Sequence, residues 1–209
     1  MSNASASSLS PELQAMARSM ARALQHPTDV PLDADLGDPL HQPPAVKPSA
    51  PARLAQSHAG PKARRAAQAL YRRCLVAYRQ RVQHAAGVDD AGLAAAYFVL
   101  ANLDALHDVR PGQAELAQVE RQMRHWLGAS WRQAPLADRQ SGFEQLAVLG
   151  TLMTESAFEA RRQSATVPAT PTAVAHVRQA ARAYLVQFGL NPQRLRLSDT
   201  GLVLEAIAA

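Results

Sequence analysis

Asp138 to Gln163 reads DRQSGFEQLAVLGTLMTESAFEARRQ, the longest apolar-rich run with a helical period in the chain. Phe143, Leu146, Ala147, Gly150, Met153 and Ala157 recur at steps of three and four, which places them on one face of a helix. Val148 and Leu152 lie near the back of that face, so the helix is apolar almost all round. A helix of that kind is covered by neighbours rather than laid on a surface. The stretch therefore predicts a central helix, 138–163, inside a small bundle.

Composition supports the same class. Hydrophobic residues make up 47% of the 209 and aromatic residues only 5%, with alanine abundant and β-branched residues sparse. Alanine loses no rotamer freedom in a helix, whereas β-branched residues do. No run of about 18 apolar residues occurs, so no transmembrane segment is expected. The opening MSNASASSLS has neither a basic start nor an apolar core, so it does not read as a secretory signal. The compartment stays open: cytoplasmic, or periplasmic or secreted if a signal has been removed. Cys74 is the single cysteine, so no internal disulfide can form.

Read in order, the chain divides near residue 60. Ser10-Pro11-Glu12 is a helix start, with serine as cap, proline at the first helical position and an acid in the first turn. Leu13, Met16, Met20 and Leu24 then form a thin stripe, giving one short helix over about 11–26. This helix reads either as a frayed end or as a docking peptide on a tether. Pro27 to Gly60 is rich in proline and poor in large apolar residues, which predicts a linker, so residues 1–60 read as a disordered, flexible N-terminal arm. A helical bundle domain, 61–209, follows. Its first helix runs from Pro61 to about Ala86 and buries Leu70, Cys74, Tyr78 and Val82, with Tyr71 and Leu75 beside them. A second follows Asp89-Asp90, two residues suited to a helix N-terminus, and buries Leu93, Ala96, Tyr97, Leu100 and Leu103. The third, about Gln113 to Trp131, turns Leu116, Val119, Met123 and Trp126 inward; Trp126 and Trp131, five apart, face different ways. After the central helix, a fifth uses Val174, Val177, Ala181, Tyr184, Leu185 and Phe188 and stops at Gly189. In the tail, Leu195 and Leu197 alternate with arginines, Ser198-Asp199-Thr200-Gly201 is a turn signal, and Leu202 and Leu204 alternate again. That pattern predicts either a small hairpin or a turn followed by a last helical turn. The expected architecture is all-α: five main helices around 138–163.

Four groups of residues carry candidate chemistry. Lys62, Arg64, Arg65, Arg72, Arg73, Arg79 and Arg81 lie on the first bundle helix with no acid between them, and Arg65, Arg72 and Arg79 are seven apart. Such a stripe could neutralise phosphates of nucleic acid or of an anionic surface. It lacks a base-reading helix-turn-helix partner and an aromatic stacking platform, and the bland alternative is a solvated arginine face. Gln140, Glu144, Thr151 and Glu155 form a polar arc on the central helix. A pair of glutamates can serve acid/base hydrolysis, but Glu144 and Glu155 are about 16 Å apart along the axis, and the arc can equally face water or pair with arginines. Asp104, His107 and Asp108 could approach a divalent metal, yet no second histidine sits at ligand spacing, so no metal is expected. Cys74 falls on an apolar stripe, the ordinary place for a structural thiol. No Gly-rich phosphate loop, nucleophile elbow or dinucleotide fingerprint occurs, so no cofactor is expected and no catalytic residue stands out.

Three segments taken together resemble an uncharacterised family of all-helical bacterial proteins, a domain of unknown function. They are DDAGLAAAYFVLANL at Asp89–Leu103, DRQSGFEQLAVLGTLM at Asp138–Met153, and VRQAARAYLVQFGLNPQRLRLSDTGL at Val177–Leu202. The resemblance covers about Pro61 to Leu204. It implies a helical protein, often exported, and brings no catalytic residues with it. The leading functional expectation is a non-enzymatic protein–protein interaction module, for example an envelope accessory or immunity-type protein that masks a partner. The alternatives are a nucleic-acid or anionic-surface binder using 62–81, and a hydrolase with a cleft lined by Glu144 and Glu155.

Overall fold

The computed structural model describes residues 9, 10, 13, 14, 18, 40–82, 87–166 and 171–205. Along them run β1 (His41–Gln42), α1 (Ala50–Ala55), α2 (Pro61–Arg81), β2 (Asp89–Asp90), α3 (Ala91–His107), α4 (Gln113–Gln133), α5 (Leu136–Thr166), α6 (Pro171–Gln187), β3 (Leu195–Ser198) and β4 (Gly201–Leu204). The molecule is a mostly helical bundle, and its strands form two small antiparallel pairs, β1 with β2 and β3 with β4.

The apolar run forms α5, which packs against α1, α2, α3 and α6. Every residue from Ser141 to Gly150 is buried. Its main partner is α3, whose alanines leave room for close approach. Gly150 sets that approach: a Cβ there would lie 2.9 Å from the Tyr97 ring and 3.1 Å from the Phe98 backbone. Around this contact the rings of Phe98, Tyr184 and Phe188 meet edge to face, as do Tyr78 and Phe143. The side chain of Asp90 caps α3 by accepting from the Leu93 N–H at 3.1 Å, the role its position predicts.

The tail resolves as a hairpin, with Leu195 opposite Leu204 and Leu197 opposite Leu202. Gln122 on α4 holds it, accepting from the Leu202 N–H at 2.8 Å and donating to the Leu202 carbonyl at 3.2 Å. Gly201 sits at φ +104° directly beneath that amide, where a side chain would collide with Gln122.

Three expectations need correction. Packing starts before residue 61, because Leu40, Leu54 and Ala55 are buried and β1 pairs with β2. Proline-rich composition concealed a few well-placed leucines. Residues 27–39 of the linker lie outside the described ones, as does most of the short helix at 11–26. Of that helix, Ser10 Oγ accepts from the Leu13 N–H at 3.3 Å, and Leu13 is fully buried. On α2, Leu70 is 37% exposed, while Ala67, Tyr71, Cys74, Leu75 and Tyr78 face inward. On α4 the buried stripe is Val119, Met123, Leu127 and Trp131, with Leu116 and Trp126 only partly covered. Steps of four rotate the face gradually, so Trp131 rather than Trp126 reaches the centre.

Candidate functional site

Of the sequence-marked polar residues, Arg79 and Gln140 converge on Asp89 with Glu144 close by, whereas Arg65, Arg72 and Glu155 lie apart. Arg65 and Arg72 are exposed on α2, whereas Arg79 turns toward the bundle. Its guanidinium makes a two-point contact with Asp89, Nε donating to Oδ1 at 2.9 Å and Nη2 to Oδ2 at 2.7 Å. Asp89 is fully buried, and Gln140 Nε2 donates to it at 3.0 Å. Arg79 also lies 5.9 Å over the Phe143 ring. Next to this pair, Asp90 contacts His41 and Arg124, and Arg124 also reaches Glu120.

Glu144 is fully buried and accepts from the backbone N–H groups of Ser49 and Ala50 at 2.8 and 2.9 Å. Those are the first donors of α1, which has no side-chain cap of its own. A carboxylate from the central helix thus caps a helix about 95 residues earlier in the chain. Burial raises the Glu144 carboxyl above its ordinary range, and the two N–H groups partly offset that. Glu155 is exposed and paired with Arg81 at 2.6 Å, while Thr151 bonds back to the Ala147 carbonyl. One glutamate is thus buried and the other exposed. Tyr78 lies among these groups with a buried hydroxyl that has no hydrogen-bond partner, and burial pushes its pKa well up.

The remaining candidates have partners within the fold or are buried. Asp104 and Asp108 both engage Arg161, at 2.7 and 3.0 Å, and His107 Nε2 faces the Pro192 carbonyl at 3.3 Å. Among the described residues no three metal-ligating side chains gather. Cys74 is buried, and burial raises its thiol pKa.

A concavity does occur, whose lining includes Asp104 and the expected core positions Tyr97, Leu100 and Leu116 but also Phe158, which the sequence pattern did not mark. It measures about 900 Å³ and lies between the C-terminal half of α3, the turn into α4 and the C-terminal half of α5. Tyr97, Leu100, Ala101 and Asp104 line one wall at helical spacing; Thr154, Phe158 and Arg161 line the opposite wall in the same way. Leu116 and Pro111 close the α4 end. Tyr97 donates to Thr154 at 3.0 Å and the Asp104–Arg161 pair bridges farther along, so both walls are held in place. Phe158 is 63% exposed at the lip. Arg110, on the turn, is exposed and makes no ion pair among the described residues. The groove therefore combines an apolar floor, a projecting aromatic ring and one uncommitted cation.

A family model for proteins of unknown function, DUF6683, matches residues 1–205. The chain belongs to that family. The match takes in the N-terminal residues as well as the bundle, in keeping with Leu13, Leu40 and Leu54 being part of the core. No curated protein and no solved structure matches the chain. Among the described residues, no helix is long and apolar enough to cross a membrane.

Proposed function

We propose that this family member is a non-enzymatic binding protein that seats an apolar, acid-bearing helix of a partner protein in the groove between α3, α4 and α5. The observation that carries the reading is Phe158, a phenylalanine left 63% exposed beside an apolar hollow of about 900 Å³. Large exposed rings beside preformed hollows mark recognition surfaces, and aromatic and arginine residues supply most binding energy there. An amphipathic helix offers apolar side chains at steps of three, four and seven, which suits two parallel rows of wall residues. Arg110 supplies the charge preference, because its guanidinium favours a carboxylate on the incoming helix. The groove walls contain neither Glu144 nor Glu155, so the hydrolase alternative draws no support from this hollow.

The test is selection from a library of helical peptides displayed against the intact chain. Enriched peptides should combine large apolar residues at helical spacing with an aspartate or glutamate. Their affinity should fall at least about tenfold on Phe158→Asp and on Arg110→Glu. Failure to enrich, or enriched peptides indifferent to both substitutions, overturns the reading.

A further inference from the structure

The basic helix face remains unexplained by the groove. On α2, taking about 100° per residue, Lys62, Arg65, Arg72 and Arg73 point outward within one arc. All four are exposed, and none pairs with a carboxylate among the described residues. By contrast, Arg79 and Arg81 at the end of the same helix are paired, with Asp89 and Glu155. Besides the cations, the arc between Lys62 and Val76 holds only Ala66, Ala69 and Val76, all exposed.

This arrangement opposes helix stability. The first turn carries Lys62, Arg64 and no acid, at the end where the helix dipole favours negative charge. Lys62 and Arg65 are three apart on one face, a repelling pair. An outside anion relieves both costs.

We propose that the outward face of α2 docks the protein on an anionic lipid bilayer, as a peripheral and reversible contact. The inference does not rest on the groove. The row of cations from Lys62 to Arg73, extended by Val76, is about 21 Å long and follows the outside of a helix, so it can lie flat on a plane. Small apolar residues between the cations gain by approaching the interfacial layer; duplex phosphates offer them no such gain. The arc holds no amide, hydroxyl or aromatic side chain with which to read or stack bases.

The experiment is co-sedimentation of the full chain with phosphatidylcholine vesicles with and without phosphatidylglycerol. The chain should bind only the anionic vesicles and should release between about 0.1 and about 0.5 M salt. Lys62→Ala, Arg65→Ala, Arg72→Ala and Arg73→Ala combined should weaken binding at least about tenfold without lowering the melting temperature. Val76→Asp, which removes no cation, should weaken it several-fold and keeps the test open if the combined variant unfolds. The pair Arg81→Ala and Arg162→Ala lowers net charge outside the arc and should leave binding within about twofold. Equal binding to neutral vesicles, an unaffected combined variant, or residue-dependent binding to duplex DNA without binding to vesicles would each overturn the proposal.

Discussion

At the residue scale, two polar side chains that look like site residues are fasteners. Arg79 neutralises the fully buried Asp89, so Arg79→Ala leaves a charge uncompensated in the core. It should destabilise the chain by about 3 to 5 kcal/mol, against less than about 0.5 kcal/mol for Arg72→Ala, in urea unfolding. Comparable losses from the two would remove the distinction. Glu144 behaves differently with pH. Its native pKa is raised by burial, so the folded chain binds this proton more tightly than the unfolded one. The stability it contributes is complete below the ordinary value of 4.5 and is lost as pH rises through the raised native pKa. Glu144→Gln keeps an acceptor for Ser49 and Ala50 but removes the buried charge. Its stability relative to the parent should therefore improve steadily as pH rises above 4.5, read from unfolding midpoints. A constant difference across that range contradicts the assignment. Glu144→Ala, which strands both N–H groups, should cost about 1 to 3 kcal/mol throughout.

The helix pattern shows that Glu144 shares an arc with Gln140, Thr151 and Glu155, but not that the Ser49 and Ala50 N–H groups arrive above it. That partner comes from a proline-rich stretch with almost no periodic signal. The same limit applies to Arg79, which is indistinguishable by spacing from the exposed Arg65 and Arg72. Only its neighbour in space, Asp89, separates them.

At the element scale, local rules carried far. The steps of three and four in 138–163 foretell the covered α5, Asp89-Asp90 mark the start of α3, and the alternation after Asn191 is compatible with the β3–β4 hairpin as one of two outcomes. What escapes is rotation of a face along a long helix. On α4 both Trp126 and Trp131 are compatible with an apolar stripe, and the choice depends on which neighbours arrive. The groove escapes for a related reason: its walls are the stripes 97–104 and 154–161, each unremarkable alone. Phe158 was the one available signal, a large ring off the apolar face of α5. The α3–α5 contact makes its own prediction. Gly150→Ala forces a methyl against the Phe98 backbone and should cost about 1 to 3 kcal/mol, whereas Gly87→Ala meets no atom within 4 Å and is limited to backbone strain at φ +81°. Equal melting of the Gly150→Ala variant and the parent would refute the close approach.

At the scale of the whole molecule, the N-terminal residues belong to the same packed unit as the bundle. Leu9, Leu13, Leu40 and Leu54 join one core with α2, α3 and α5, and Leu9 and Ser10 give their N–H groups to Gln187 and Gln145. Composition alone places a boundary at residue 60, because entropy arguments count average apolar content and miss four leucines in the right places. A chain that begins at Pro61 loses those leucines and exposes Glu144. It should unfold at a lower urea midpoint than the intact chain; an identical midpoint would restore the boundary.

The functional reading turns on Phe158 and is tested most directly where the protein is made. A photoreactive phenylalanine analogue at position 158 should form an adduct with one partner. The attached peptide should be an apolar, acid-bearing helix, and Arg110→Glu should abolish the adduct. The same analogue at the exposed Val203, away from the groove, should form none. No adduct at 158, or the same adducts from 203, would contradict a binding role for the groove.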